Sequence, residues 1–162
     1  MAEFTHIKDD KAYMVDVTQK TDVNRLAVAA GRIYLREETM KAIREGTVVK
    51  GNVLATARVA AIQGVKRTSD LIPMCHPLPI GGVSVDFEDI ADENCIEATC
   101  TVKTYGKTGV EMEALTGVSA ALLTVYDMCK AIDKRMVLKE IHLVEKHGGK
   151  SGDFFFEQET GT

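Results

Sequence analysis

The chain has 162 residues, 45% of them apolar and 27% charged, and its 20 lysines and arginines against 24 aspartates and glutamates give a net charge of −4. This composition excludes wholesale disorder and supplies no bulk positive charge with which to hold nucleic acid. The longest uncharged stretch, Leu71 to Val85, contains all three prolines and falls short of the ~20 apolar residues that a membrane span needs. The first ten residues carry Glu3, Asp9 and Asp10 with no apolar run, so no secretory signal is read there and a cytoplasmic location is expected. The length fits one domain over residues 1–162, with about residues 1–15 flexible. Cys75, Cys95, Cys100 and Cys129 include no Cys-x-x-Cys pair; free thiols, mostly acting as small buried apolar groups, are expected.

In chain order, the first twenty residues are polar and mixed and read as loosely held. Val23 to Leu35 is partly apolar on both parities, as in a long strand within a sheet. Glu37 to Glu45 reads as a short helix, with Glu37 and Glu38 at its N-terminus, Lys41 and Arg44 toward its C-terminus, and Gly46 as its stop. Asn52 caps a second helix whose small-residue face includes Ala57, Ala60, Ala61 and Gly64 and which ends near Lys66–Arg67. Asp70 to Gly82 is a proline-rich loop. Alternation over Gly82 to Ile90 and again over Ile96 to Lys103, with a turn at Asp92–Asn94, gives the strongest hairpin signal. A long helix spans about Glu111 to Lys134, with Leu115, Val118, Leu122, Val125, Cys129 and Ile132 on one stripe. Met136 to Glu145 reads as a last strand, and Lys146 to Phe156 as a glycine-containing tail. The order β, α, α, β, β, α, β predicts a ferredoxin-like α+β fold, an antiparallel four-stranded sheet with helices packed on one face.

Four segments carry reactive side chains that a core does not require, and each also has an ordinary reading. Lys50, just before a helix, is either a solvated loop lysine or a cation raised toward a ligand. In Pro73-Met74-Cys75-His76-Pro77-Leu78-Pro79 the prolines stiffen the backbone around one imidazole, which suits acid–base work as well as simple loop packing. Adjacent Cys75 and His76 point apart on an extended segment and make a poor metal clamp, and no metal site is predicted. Gly106-Lys107-Thr108-Gly109 follows a strand and precedes a helix, but position 101 is Thr101 where a phosphate-binding P-loop needs glycine. Glu111 and Glu113 then crowd the helix start, either to compensate its dipole or to accept hydrogen bonds from an amide or guanidine edge. Asp127 and Lys130 form an i, i+3 pair beside the apolar stripe, where partial burial would favour proton exchange over simple surface pairing. Finally, Lys146 and Lys150 flank the glycines of a second false P-loop, with Val144 at its first position. With Lys66 and Arg67 they offer local positive charge for an anion.

Taken together and in order, these segments resemble the molybdenum-cofactor biosynthesis protein C family, the cyclic pyranopterin monophosphate synthases. The resemblance runs from about Thr5 to Phe154. It is carried by Met14-Val15-Asp16-Val17, Ala55-Thr56-Ala57-Arg58, Asp70 to Leu78, Lys107 to Thr116, Tyr126 to Ala131 and Gly148-Gly149-Lys150-Ser151-Gly152. Met74 stands where a leucine is common and Asn52 where an aspartate is common; neither change removes a reactive group.

The resemblance implies a lyase that converts a cyclised 7,8-dihydro-GTP, made by a radical partner enzyme, to cyclic pyranopterin monophosphate with release of diphosphate. It also implies homohexamers built as trimers of dimers, with sites at subunit interfaces. By position, Asp127 would be the acid–base residue, helped by Lys50 and Lys130. Met74, Cys75, His76, Glu111, Met112 and Glu113 would bind the substrate, and Lys66, Lys146 and Lys150 are candidates for its phosphates. The conversion has no net redox step, so no redox cofactor is expected. Magnesium on the substrate phosphates is compatible with the chemistry, although no dedicated ligand set is seen. The competing readings are a non-catalytic nucleotide-binding module, which would tolerate Lys→Arg changes, and a metal-dependent hydrolase centred on Cys75 and His76, which lacks further ligands at usable spacing.

Overall fold

The computed structural model describes residues 7–158. Two-residue strands β1 (Ile7–Lys8) and β2 (Lys11–Ala12) pair through Asp9 and Asp10, whose φ of 52° and 59° are the positive values that a tight hairpin turn requires. An arm without regular secondary structure leads from this hairpin to the main sheet; of the stretch 1–15 expected to be flexible, residues 1–6 lie outside the described residues.

Strand β3 (Val23–Tyr34) is the centre of the main sheet. Helix α1 (Glu37–Glu45) ends at Gly46, whose φ of 67° closes the helix in the left-handed region. Helix α2 (Val53–Lys66) starts where predicted, with Asn52 Oδ1 accepting the Ala55 amide at 3.0 Å. One further turn, α3 (Thr68–Leu71), precedes the proline loop. It follows α2 because Thr68 Oγ1 donates back to the carbonyls of Gly64 and Val65. Strands β4 (Ile80–Ile90) and β5 (Cys95–Gly106) form the expected hairpin, turned by a 3-10 segment at Ala91–Glu93 and by Asn94 at φ 49°. Helix α4 (Glu111–Cys129), strand β6 (Val137–His147) and strand β7 (Phe154–Phe155) complete the chain.

The sheet order is β4-β5-β3-β6-β7, antiparallel throughout. The ferredoxin-like α+β class holds, with one addition. The tail after the glycines returns and sets Phe154 and Phe155 beside Lys146 and Glu145, giving a fifth, two-residue strand. Helices α2 and α4 cover one face. The small side chains of Ala27, Ala29, Ala98 and Cys100 lie fully buried beneath Ala57, Ala61, Ala114 and Ala121. The approach is close: a Cβ at Gly117 would stand 2.7 Å from Cys100 Sγ and 2.9 Å from Val65 Cγ2.

Helix α4 stops at Cys129 rather than Lys134. Asp133, only 3% exposed, accepts the backbone amides of Arg36 and Arg135 at 3.2 and 2.9 Å. A buried carboxylate needs such partners, and reaching them requires the chain to leave the helix. No helix of the described residues is long and apolar enough to cross a membrane.

Candidate active site

The first turn of α4, the proline loop and the N-terminal arm enclose a cleft of about 320 Å³. The proline loop contributes Met74, Cys75 and His76, the helix contributes Glu111, Met112 and Glu113, and the arm contributes Val15, Val17 and Lys20. The six substrate-binding residues predicted from the loop and the helix start therefore meet in one place.

The position of His76 is fixed by a contact distant in sequence, with its Nε2 2.7 Å from the Val15 carbonyl oxygen. Since a carbonyl only accepts, Nε2 is the donor in this hydrogen bond. The same contact ties the arm to the loop. Lys107 Nζ holds the arm a second time by donating to the Thr18 carbonyl at 3.2 Å.

Glu113 is 4% exposed. Burial, and secondarily the neighbouring Glu111 carboxylate, pushes its carboxyl up to about 7, so it can gain or lose a proton near neutrality. Burial, with a smaller contribution from Glu113, also raises the Cys75 thiol. A protonated thiol is a weak nucleophile and a weak metal ligand. Among the described residues no three His, Cys, Asp or Glu side chains converge as a metal site.

Glu111 folds back over Gly109, where a Cβ would collide with its carboxylate. It also meets Lys146, whose Nζ lies 3.5 Å from Glu111 Oε1 and donates to Ser151 Oγ at 2.7 Å. Arg25 braces the turn before α4, with Nε donating to the Gly106 carbonyl at 2.9 Å and Nη2 to the Lys107 carbonyl at 3.1 Å.

The second cluster lies at the other end of α4. Asp127 Oδ1 accepts from Lys130 Nζ at 2.9 Å, and Oδ2 accepts from Lys50 Nζ at 3.0 Å. Lys50 Nζ donates to the Asp127 backbone carbonyl as well, at 3.1 Å. The hydrogen bond from Lys130, then that from Lys50, lowers the Asp127 pKa, and Asp127 in turn raises that of Lys130. The resting cluster is thus a carboxylate between ammonium groups. The expected partial burial is not found in the single chain, where the Asp127 side chain is 57% exposed. Two positions from Val125 and from Cys129, it projects off their buried stripe.

Glu113 and Asp127 are fourteen residues apart on α4, about 21 Å along its axis at 1.5 Å per residue. The cleft and the Asp127 cluster therefore do not meet within one chain. Of the remaining candidates, Lys146 reaches the cleft through Glu111. Lys66 lies beyond Leu78 in an adjoining depression with Ile62 and Ile80. Lys150 is exposed in the glycine loop and makes no ion pair among the described residues.

Residue-by-residue reading missed Lys20, Arg25 and the use of Val15 and Val17 as a wall. The signal in the arm was its apolar residues Met14, Val15 and Val17, which the family resemblance includes.

A model described as the MoaC family matches residues 14–149. The chain is 56% identical over 156 residues to a cyclic pyranopterin monophosphate synthase of Clostridium perfringens (strain 13 / Type A), which covers 95% of this chain and 98% of that protein. It is 56% identical over 153 residues to the enzyme of that name from Natranaerobius thermophilus, covering 93% and 96% of the two chains. It is 57% identical over 157 residues to a probable cyclic pyranopterin monophosphate synthase of Methanoregula boonei, covering 93% and 100%.

Proposed function

The chain belongs to the MoaC family, and from that premise we propose that it is a cyclic pyranopterin monophosphate synthase, a lyase of molybdenum-cofactor biosynthesis. Its substrate is (8S)-3',8-cyclo-7,8-dihydroguanosine 5'-triphosphate, supplied by a radical enzyme. The reaction opens and recloses the base as a pterin and joins a sugar-derived oxygen to the α-phosphorus as diphosphate leaves. Both parts need protons moved at C–N and O–H bonds, and neither needs a redox group. The enzyme works in the cytosol, and any magnesium rides on the substrate phosphates.

The observation that carries this reading is the meeting of Glu113, Glu111, His76 and the proline loop in one cleft. The glutamates accept from the N–H edge of the guanine-derived ring, and Lys146 and Lys20 balance the phosphates. Asp127 then serves as base and Lys130 as proton donor, the states in which their mutual hydrogen bond holds them. Lys50 holds the other carboxylate oxygen and serves as a second proton carrier.

The acid–base groups and the base-binding groups act on one fused ring system, far narrower than the separation of the cleft from the Asp127 cluster. Two copies of the chain resolve this, each bringing its Asp127 end to the other's cleft. Three such dimers form the hexamer.

The test is incubation with the cyclised dihydro-GTP, following diphosphate and the pterin product together. Appearance of both, and loss of both in Asp127→Ala, supports the synthase. Tight binding with neither product would leave a recognition module and make the lysine roles purely electrostatic.

A further inference from the structure

Lys146 is fixed at its backbone and long in its side chain. Its strand is paired on both sides, opposite Ala27 in β3 and Phe154 in β7, but a flexible four-carbon stem leaves the ammonium group many rotamers. Its ammonium group is met by a tightly folded glycine loop. Gly148, Gly149 and Gly152 take φ of 92°, 89° and 72°, which other residues rarely adopt. A Cβ at Gly148 would collide with the Asn24 carbonyl, and one at Gly149 would stand 2.5 Å from Arg25 Nη1. Asp153 closes the loop, with Oδ1 accepting the Gly148 amide at 3.4 Å and Oδ2 lying 3.2 Å from His147 Nδ1. The result brings Ser151 Oγ to 2.7 Å from Lys146 Nζ, on the side where Lys146 meets Glu111 of the cleft.

We propose that Ser151 is a positioning residue for the enzyme's anionic substrate: its hydroxyl oxygen holds the Lys146 ammonium group at the cleft mouth, ready to exchange Glu111 for a phosphate oxygen. This rests on the reading of the cleft as the site of a triphosphate. Ser151 acts through Lys146 and contributes to binding rather than to the chemical steps.

Four variants test it with the cyclised dihydro-GTP: Ser151→Ala, Ser151→Thr, Lys146→Ala and the double variant Ser151→Ala/Lys146→Ala. Loss of one hydrogen bond to a charged group should raise KM about tenfold in Ser151→Ala, with kcat within about twofold, and Ser151→Thr should restore KM. The double variant should match Lys146→Ala, since Ser151 has nothing left to aim. An unchanged KM in Ser151→Ala beside a raised KM in Lys146→Ala would overturn the positioning role alone. So would effects that multiply in the double variant. An unchanged KM in Lys146→Ala would remove Lys146 from substrate binding, and Ser151 with it. Absence of turnover in the unaltered protein would instead overturn the underlying function.

Discussion

Glu113 and Asp127 stand on one helix, α4, yet differ in every respect that governs a carboxylate. Glu113 is buried at the first turn and has its pKa pushed up to about 7. Asp127 is exposed at the last turn, between two lysines that lower its pKa. One can trade protons near neutrality, and the other stays ionised as an acceptor. Environments that separate two carboxylates in this way assign them different work.

The Asp127 cluster should be catalytic rather than structural. All three side chains are about half exposed, so an ion pair there adds little to stability. Asp127→Ala is predicted to fold with a melting temperature near that of the parent and to lose activity by ~10²-fold or more. Lys50→Arg and Lys130→Arg should behave alike, since arginine keeps the charge but does not release a proton. Melting curves and product formation, measured on the same preparations, check this. Near-normal turnover in both arginine variants would remove lysine proton transfer from the mechanism.

Glu113 should make stability fall as pH rises. Its pKa is 4.5 when unfolded and about 7 when folded, so between these values the native chain holds a proton that the unfolded chain has released. Stability is then greatest below pH 4.5, declines toward pH 7 and levels off above it, by about 3 kcal/mol for this group alone. Glu113→Gln keeps the shape and removes the titration. Urea unfolding at pH 5 and pH 8 should show a smaller drop for the glutamine variant than for the parent, and an equal drop would contradict the burial argument.

The small-residue packing of α4 should tolerate no added methyl at its tightest point. Gly117→Ala places Cβ within 3 Å of Cys100 Sγ and Val65 Cγ2, both in the core. Overpacking of this kind costs about 1–3 kcal/mol. The variant should unfold at lower urea with an unchanged m-value, while its catalytic constants at low temperature stay near those of the parent.

The local grammar of the fold was legible because it lies within a few residues. Asn52 caps its own helix, Gly46 closes the one before it, and the alternation of β4 and β5 is self-evident. What escaped depends on distant partners. The end of α4 is set by Asp133 receiving the amide of Arg36, and the N-terminal arm is held by His76 donating to the Val15 carbonyl. Strand β7 exists because β6 offers Glu145 and Lys146 a free edge. At the site, the prolines and the paired glutamates marked the cleft, and i, i+3 spacing marked Asp127 with Lys130. Lys50 joined them only through the family resemblance, because its approach to Asp127 spans 77 positions. The separation of the cleft from the Asp127 cluster followed from helix geometry once both ends of α4 were placed.

The central claim, that the Asp127 end of one copy completes the cleft of another, is tested most directly by mixing two inactive variants. Asp127→Ala and His76→Ala damage opposite ends of the shared site. After subunit exchange at equal concentrations, a shared site should return about a quarter of the parent activity, because mixed dimers hold one intact site each. A mixture as inactive as its components, with exchange confirmed by mass spectrometry, would show that each chain works alone and would contradict the account.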